Sequence, residues 1–375
     1  MVNGAKVQTE MSRLDALLWE MPDAAAGLER LSELVEASAG IPHEPVTVET
    51  LIAEEVAPLQ TLGTLIPRAE ARRAGIVSLL RLQHESGPFV LSAWPTAFSG
   101  VYNLVGSIPS TDARWQKVER LIGRASPRLV PCLLDHNDFS DVGTALSEYG
   151  DVEVSRLTAR RRADTSSLTR GWQQRIGTSR PNHHQAIADA EAEGASVRTL
   201  TLQVGGAQQP VLSLHLRRLA GATFYGGDFA VFERVVLGRL ATAAARRLEL
   251  LAGRQRIVNE PLRAPISIRL PGPTLVDAEA TGDVVAELSQ SSTLGVAVLH
   301  RNPYLHAVVT DYTDGSNFDV IVTATDAIQV FPGFRASVGS FARLTQRLGE
   351  RFEALEIVEA AQGGSVSLDD LVANA

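Results

Sequence analysis

The chain has almost no lysine and almost no cysteine. Lys6 and Lys117 are the only lysines beside 33 arginines, and neither lies in a recognisable motif. Mechanisms that need a lysine amine, such as Schiff-base formation, therefore have no good candidate. Cys132 is the single cysteine, which excludes an internal disulfide and a zinc site built from paired cysteines. Because Cys132 lies in the apolar run 130–134, we expect it to be a small core residue.

Long apolar runs and common catalytic motifs are missing as well. No apolar stretch approaches the roughly 20 residues that a membrane-spanning helix needs, and the acidic N-terminus lacks the pattern of a signal peptide. There is no Walker A motif, no dinucleotide-binding glycine motif, no GxSxG and no HExxH. These absences disfavour P-loop NTPases, nucleotide-cofactor enzymes, α/β hydrolases and zincins. We expect a soluble cytoplasmic protein with no cofactor, no metal site and no membrane partner.

The composition is that of a folded chain with more than one module. Of its 375 residues, 45% are hydrophobic and 21% are charged, which excludes wholesale disorder. The predicted fold class is α+β, with an acidic helical arm followed by two or three modules in which strands precede an amphipathic helix. The predicted parts are an acidic helical arm at 1–65, an α/β module at 74–158, an arginine-rich linker or loop at 159–181, a hairpin and long helix at 182–270, an antiparallel sheet and helix at 277–360, and a loose tail at 361–375.

Two of these parts carry specific structural expectations. The arm is predicted as three helices, the third beginning at Thr47 with Leu51 and Ile52 facing inward. In the module at 74–158, helices alternate with short strands at 128–134 and 152–157. This alternation favours parallel or mixed strand pairing.

Charge is distributed unevenly along the chain. Residues 1–60 contain three basic and eleven acidic side chains, which accounts for the whole formal charge of −8. The segment 156–180 has a positive net charge instead, because it contains seven arginines and a single acidic residue, Asp164. This arginine segment also contains Trp172, which could stack on a nucleic-acid base. Its candidate binding residues are Arg156, Arg160, Arg161, Arg162, Arg170, Trp172, Arg175 and Arg180.

The densest polar cluster in the sequence follows the apolar strand at 128–134. Asp135, His136 and Asp138 place carboxylates beside an imidazole where an α/β sheet would hold a ligand, so they are the weak catalytic candidates. An equally good account is that these residues cap the helix that follows, since Asp and Asn are ordinary capping and turn residues.

The first functional hypothesis is a non-enzymatic binding or assembly subunit. Arginine pairs well with phosphate and carboxylate, so the arginine segment would engage nucleic acid or an acidic protein surface. It could instead pair with the chain's own acids, or serve only solubility, and the arm could cover it. The alternatives are a hydrolase or metal-dependent enzyme centred on Asp135, His136 and Asp138, and a structural homo-oligomer built through the long helix at 229–251 or through exposed strand edges.

Overall fold

The protein is a mixed α+β structure with two antiparallel sheets, which confirms the predicted class. The computed structural model describes residues 11–22, 29–38, 45–53, 58–66, 69–161, 167–171, 180–205, 210–260 and 263–360. The predicted tail at 361–375 lies outside these ranges. Within them, no helix is both long and apolar enough to cross a membrane.

The larger sheet has eleven strands, which run in the order β2-β3-β4-β5-β1-β11-β10-β9-β7-β8, with β6 paired to β1. Its described pairings are all antiparallel, so the expected parallel or mixed pairing in 74–158 was wrong. The strands are β1 Val46–Ala53, β2 Glu70–Ala74, β3 Val77–Leu82, β4 Phe89–Pro95, β5 Val101–Gly106, β6 Leu129–Pro131, β7 Val152–Arg161, β8 Ser167–Gly171, β9 Ala195–Val204, β10 Leu212–Arg217 and β11 Gly221–Gly227.

Strand β1 occupies the middle of this sheet, so the predicted helix beginning at Thr47 was wrong. All eight residues of β1 are buried. One edge of β1 pairs with β5, and the other pairs with β11 and then with β6. Five of the eight residues are β-branched, which suits a strand buried on both faces. Leu51 and Ile52 were expected to face inward from a helix. They lie on opposite faces of the sheet instead, because adjacent residues of a strand point to opposite sides.

The helices cover both faces of the large sheet. Helices α3 Pro58–Thr64 and α4 Ala113–Ala125 share one hydrophobic cluster with Leu51 and Leu104. The opposite face carries a larger cluster, to which Val48 and Val105 belong. The helices on that face are α1 Arg13–Trp19, α2 Glu29–Ser38, α5 His136–Leu146, α6 His183–Ala192, α7 Phe229–Val231 and α8 Gly238–Leu251.

Two short segments interrupt or extend these helices. A π-helical segment, Phe232–Leu237, joins α7 to α8, so the predicted long helix at 229–251 is present with an irregular first half. A 3₁₀ turn, Ser147–Tyr149, follows α5. The long helix contacts β1, β5 and α5 of its own chain. Its apolar face is therefore already used within the chain, and assembly of several copies remains a prediction.

The smaller sheet has the order β13-β14-β15-β16-β12-β17. Its strands are β12 Ile266–Arg269, β13 Leu294–His300, β14 Leu305–Asp311, β15 Asn317–Ala324, β16 Ala327–Pro332 and β17 Glu356–Glu359. Helices α9 Ala278–Ser289 and α10 Val338–Arg351 pack on it, and Ser337 caps α10. Helix α9 was not predicted.

The segment predicted as a linker or loop at 159–181 contains strand structure in its described parts. Strand β7 extends to Arg161, and β8 pairs with it from Arg156 to Arg160. The arginines do not prevent strand formation, because the apolar residues Leu157 and Ala159 alternate with polar ones and face the core. Arg162, Trp172 and Arg175 lie outside the described residues.

Candidate functional site

One half of the large sheet has a polar face. Along β10, and along β9 from Leu200 to Val204, every second residue is buried in the core and the residues between keep partial exposure. Such alternation is typical of a sheet with one face packed on the core and the other towards solvent. We define the polar face by the residues of β7, β9, β10 and β11 on this side of the sheet, namely Arg156, Thr158, Thr199, Thr201, His215, Arg217, Thr223 and Tyr225, of which Thr223 is buried.

The registers of the four strands align these side chains in rows. Arg156 lies opposite Thr201, Thr201 opposite His215, and His215 opposite Thr223. Within this row, Thr201 Oγ1 and His215 Nδ1 are 2.9 Å apart. Burial, with the nearby arginines Arg217 and Arg156, lowers the pKa of His215 to about 4. The His215 ring is therefore neutral at physiological pH and adds no charge to the face.

Tyr225 is the exposed aromatic residue of the polar face. Its side chain is 43% exposed, whereas Phe224, its neighbour on the same strand, is buried in the core. Arg156 is also exposed, and among the described residues it forms no salt bridge. An exposed ring on the same sheet face as a guanidinium without a salt bridge offers both a stacking surface and donors for an anion.

The polar face continues into a cleft at Arg217. This arginine cleft has a volume of about 650 Å³ and lies between the large sheet with α4 and the helices α9 and α10 of the smaller sheet unit. Its charged lining consists of Arg160, Arg198, Arg217, Arg343, Arg347 and Arg351, with Glu49, Glu119, Glu287 and Glu350.

Each of the six cleft arginines has an acidic partner. The pairs are Arg160 and Arg198 with Glu353, Arg198 with Glu350, Arg217 with Glu49 and Glu119, Arg343 with Asp311, and Arg347 and Arg351 with Glu287. When every acid is ionised, these charges nearly balance. Protonation of any of the acids leaves the cleft positive.

Two of the cleft acids are held towards their protonated form. Burial raises the pKa of Glu49 to about 7, although Arg217 Nη2 lies 2.7 Å from its carboxylate and opposes that shift. Burial also raises the pKa of Glu350. A larger fraction of these two glutamates is therefore neutral, and the cleft is more positive than a count of its arginines and glutamates implies.

The arginine segment does not form one surface in the fold. Arg156 lies on the polar face and Arg160 in the cleft, but the other described members bind acids of the same chain. Arg161 and Arg170 both contact Glu193, at the end of α6. Arg180 contacts Glu153, at 3.8 Å, and Gln203. The residues of the acidic arm in α1 and α2 pack on the core side of the sheet, opposite the polar face.

Asp135, His136 and Asp138 are brought together at the start of α5. Asp135 is the N-cap, and its side chain accepts from the Asp138 amide while Asp138 accepts from the Asp135 amide. His136 Nε2 accepts from the Val197 amide at 2.9 Å, and Nδ1 contacts Glu191. Both ring nitrogens are thus engaged, and burial lowers the pKa of His136. These contacts form a helix cap, which was the second account of the cluster.

A hydrolase or metal-dependent enzyme centred on this cluster would need a pocket on which further charged groups converge. A cavity of about 300 Å³ does lie against Asp135 and Asp138, and Arg246 and Arg247 line it. Arg246 lies 2.7 Å from Asp138, and Arg247 lies 3.8 Å from Asp135. Burial, with the charge of Asp135, raises the pKa of Asp138. The carboxylates of Asp135 and Asp138 therefore both contact a backbone amide and an arginine.

Removing the cap should test this structural role. Replacing Asp135 by alanine is expected to lower the free energy of unfolding by about 1 kcal/mol, because the Asp138 amide loses its acceptor. Asp135→Ser keeps a capping oxygen and should retain most of the stability. Urea unfolding of the two variants measures the difference, and equal losses would argue against the capping role.

Sequence reasoning missed the polar face and most of the cleft. The available signal was the alternation of polar residues along β9 and β10, but the cleft arginines come from separate elements that only the tertiary fold brings together. No group of three or more metal-ligating side chains occurs in the described ranges. Comparison with protein-family models found no match, and comparison with curated proteins found no significant similarity.

Proposed function

We propose that this protein is a non-enzymatic binding subunit whose polar face binds single-stranded nucleic acid. The exposed ring of Tyr225, on the same sheet face as Arg156, is the observation that carries the proposal. A base stacked on an aromatic side chain contributes about 1–3 kcal/mol, whatever its sequence. The expected cytoplasmic location is part of this proposal.

The rows of the polar face supply the remaining contacts. Arg156 would contact a phosphate. Thr158 and Thr199 hydrogen-bond to each other at 2.7 Å, so one of these two hydroxyl groups can still donate to a phosphate or sugar oxygen. A strand laid across these rows reaches the arginine cleft at Arg217. The raised pKa values of Glu49 and Glu350 favour an anion there, because a protonated carboxyl does not repel phosphate.

An acidic protein surface is the other anionic partner expected from the sequence. The contacts of Arg161, Arg170 and Arg180 with acids of the same chain leave less of the arginine segment for such a surface. An exposed aromatic ring between polar rows favours a planar base over a carboxylate partner. We therefore move the proposed site from the arginine segment to the polar face.

Binding of a labelled oligonucleotide tests the proposal. Fluorescence anisotropy with a fluorescein-labelled oligothymidylate of about 15 nucleotides, in about 50 to 200 mM salt, should give salt-dependent binding to the full chain. Tyr225→Leu should weaken it by roughly tenfold or more, since one stacked base is lost. Arg156→Ala should reduce the slope of log K against log salt by about 0.7.

Matched variants separate this site from a general effect of charge or hydrophobicity. Tyr312 is 69% exposed in the smaller sheet unit, and Arg239 is an exposed arginine of α8, on the opposite face of the large sheet. Tyr312→Leu and Arg239→Ala should leave both affinity and salt slope unchanged. The proposal is contradicted if the full chain does not bind the oligonucleotide at low salt, or if these variants match those on the polar face.

A further inference from the structure

A second cavity lies on the opposite face of the large sheet, against the π-helical segment. It has a volume of about 450 Å³, which lies within the range of small-molecule sites. Apart from Ser32 of α2, its walls come from the loop that follows β4, from β5 and from the helix at 229–251. The lining residues are Ser32, Thr96, Ala97, Phe98, Asn103, Ala230, Glu233, Arg234, Leu237, Gly238 and Ala241, and we call this cavity the π-helix pocket.

Asn103 is a polar group within this lining. It lies on β5 and is 3% exposed. Its Oδ1 accepts from Thr50 Oγ1 at 2.9 Å, which fixes the orientation of the side-chain amide. No described residue accepts a hydrogen bond from its Nδ2 group. The Nδ2 group is therefore a donor that an acceptor atom of a molecule in the pocket can use.

The π-helical segment gives the pocket its wall. Leu237 ends this segment and Gly238 begins α8, and both line the cavity. π-Helical turns are rare and frequently occur at functional sites. Gly238 adds to the space, because a Cβ built at this position would meet no atom within 4 Å.

We propose that the π-helix pocket binds a small, uncharged, mainly apolar molecule that presents a carbonyl or similar acceptor oxygen to Asn103. The apolar body packs against Phe98, Leu237 and Ala241. Arg234 lies at the pocket and is held by the Tyr149 hydroxyl at 3.0 Å. This site lies on the sheet face opposite Tyr225, so it does not depend on the proposed nucleic-acid interface.

Two neutral fluorescent probes test the pocket. Prodan has a naphthalene body and a ketone oxygen, whereas N-phenyl-1-naphthylamine has a similar apolar body without a carbonyl. Both should bind the full chain saturably, with increased emission. Gly238→Leu should weaken both by at least tenfold, because the new side chain occupies the cavity. Its folding should not suffer, since leucine favours a helix more than glycine does.

Gly282→Leu is the matched control. Gly282 is also a helical glycine with no atom within 4 Å of a built Cβ, but it lies in α9 and does not line the pocket. This variant should bind both probes as the unmodified chain does. Equal binding by Gly238→Leu and Gly282→Leu would overturn the proposal, as would the absence of saturable binding to the unmodified chain.

Asn103→Asp tests the hydrogen bond itself. The aspartate keeps an oxygen for Thr50 but removes both N–H donors. Prodan affinity should fall by about tenfold, while the affinity for N-phenyl-1-naphthylamine should change by less than about twofold. An equal change for both probes would overturn the role of Asn103 as the donor.

Discussion

Replacing Glu353 by glutamine is expected to lower the free energy of unfolding by about 3–5 kcal/mol. Glu353 is 1% exposed and lies after α10, in the smaller sheet unit. Its carboxylate contacts Arg198, lies 3.3 Å from Arg218 and lies 3.5 Å from Arg160. Glutamine keeps the shape of the side chain but leaves these arginines without their shared negative charge. Because all three belong to the large-sheet unit, the loss should also loosen the contact between the two sheets.

Glu193→Gln provides the matched control. Glu193 also joins two arginines, Arg161 and Arg170, but its side chain is 32% exposed. Exposed ion pairs contribute little, so this variant should lose less than about 1 kcal/mol. Urea unfolding followed by circular dichroism measures both values. If the two losses were equal, the buried location of Glu353 would not be the source of its effect.

Between pH 4.5 and pH 7, Glu49 is expected to make a contribution to the stability of the protein that falls as the pH rises, whereas the lowered pKa of His215 makes one that rises. Its folded-state pKa is about 7, against an ordinary value of 4.5. In this window the folded chain keeps the proton and the unfolded chain has lost it, so a rise in pH favours unfolding. The contribution of Glu49 is fully present below pH 4.5 and is lost by about pH 7. Its size is about 3 kcal/mol.

Comparison of two glutamate variants isolates this contribution. Glu49→Gln has no proton to lose, so its stability relative to that of the unmodified chain should rise by about 3 kcal/mol from pH 4.5 to pH 7. Glu119 also contacts Arg217, but its side chain is 40% exposed. Glu119→Gln should keep most of the pH dependence of the unmodified chain, because burial is the main cause of the raised pKa of Glu49 and the charge of Glu119 is a smaller one. Unfolding curves at several pH values decide the matter, and parallel profiles for Glu49→Gln and the unmodified chain would contradict the assignment.

Elements that depend on neighbouring residues could be predicted from the sequence. Ser337 caps α10, and its side chain accepts from the Ser340 amide, three residues further on. Gly315, in the turn between β14 and β15, has a φ of 77°, which glycine adopts without strain. The hairpin formed by β9 and β10 could also be predicted from its local sequence, because apolar and polar residues alternate on both strands.

Elements that depend on distant partners could not be predicted in this way. Strand β1 carries Glu49 in the sheet centre, which is acceptable because Arg217 contacts its carboxylate. That partner lies far along the chain, so the local acidic pattern suggested an exposed helix instead. The same reason explains the arginine segment, in which Glu193 binds Arg161 and Arg170. A charge pattern identifies ionised side chains but not which of them meet in the fold.

The central position of β1 also determines when the sheet can be completed during synthesis. Val46 pairs with Phe224, and Glu49 pairs with Gly221. While a ribosome is still making the chain between these residues, the part of this edge of β1 from Val46 to Glu49 has no strand beside it. An open strand edge readily pairs with other chains. Productive synthesis therefore requires that this edge stay unpaired or shielded until β11 emerges.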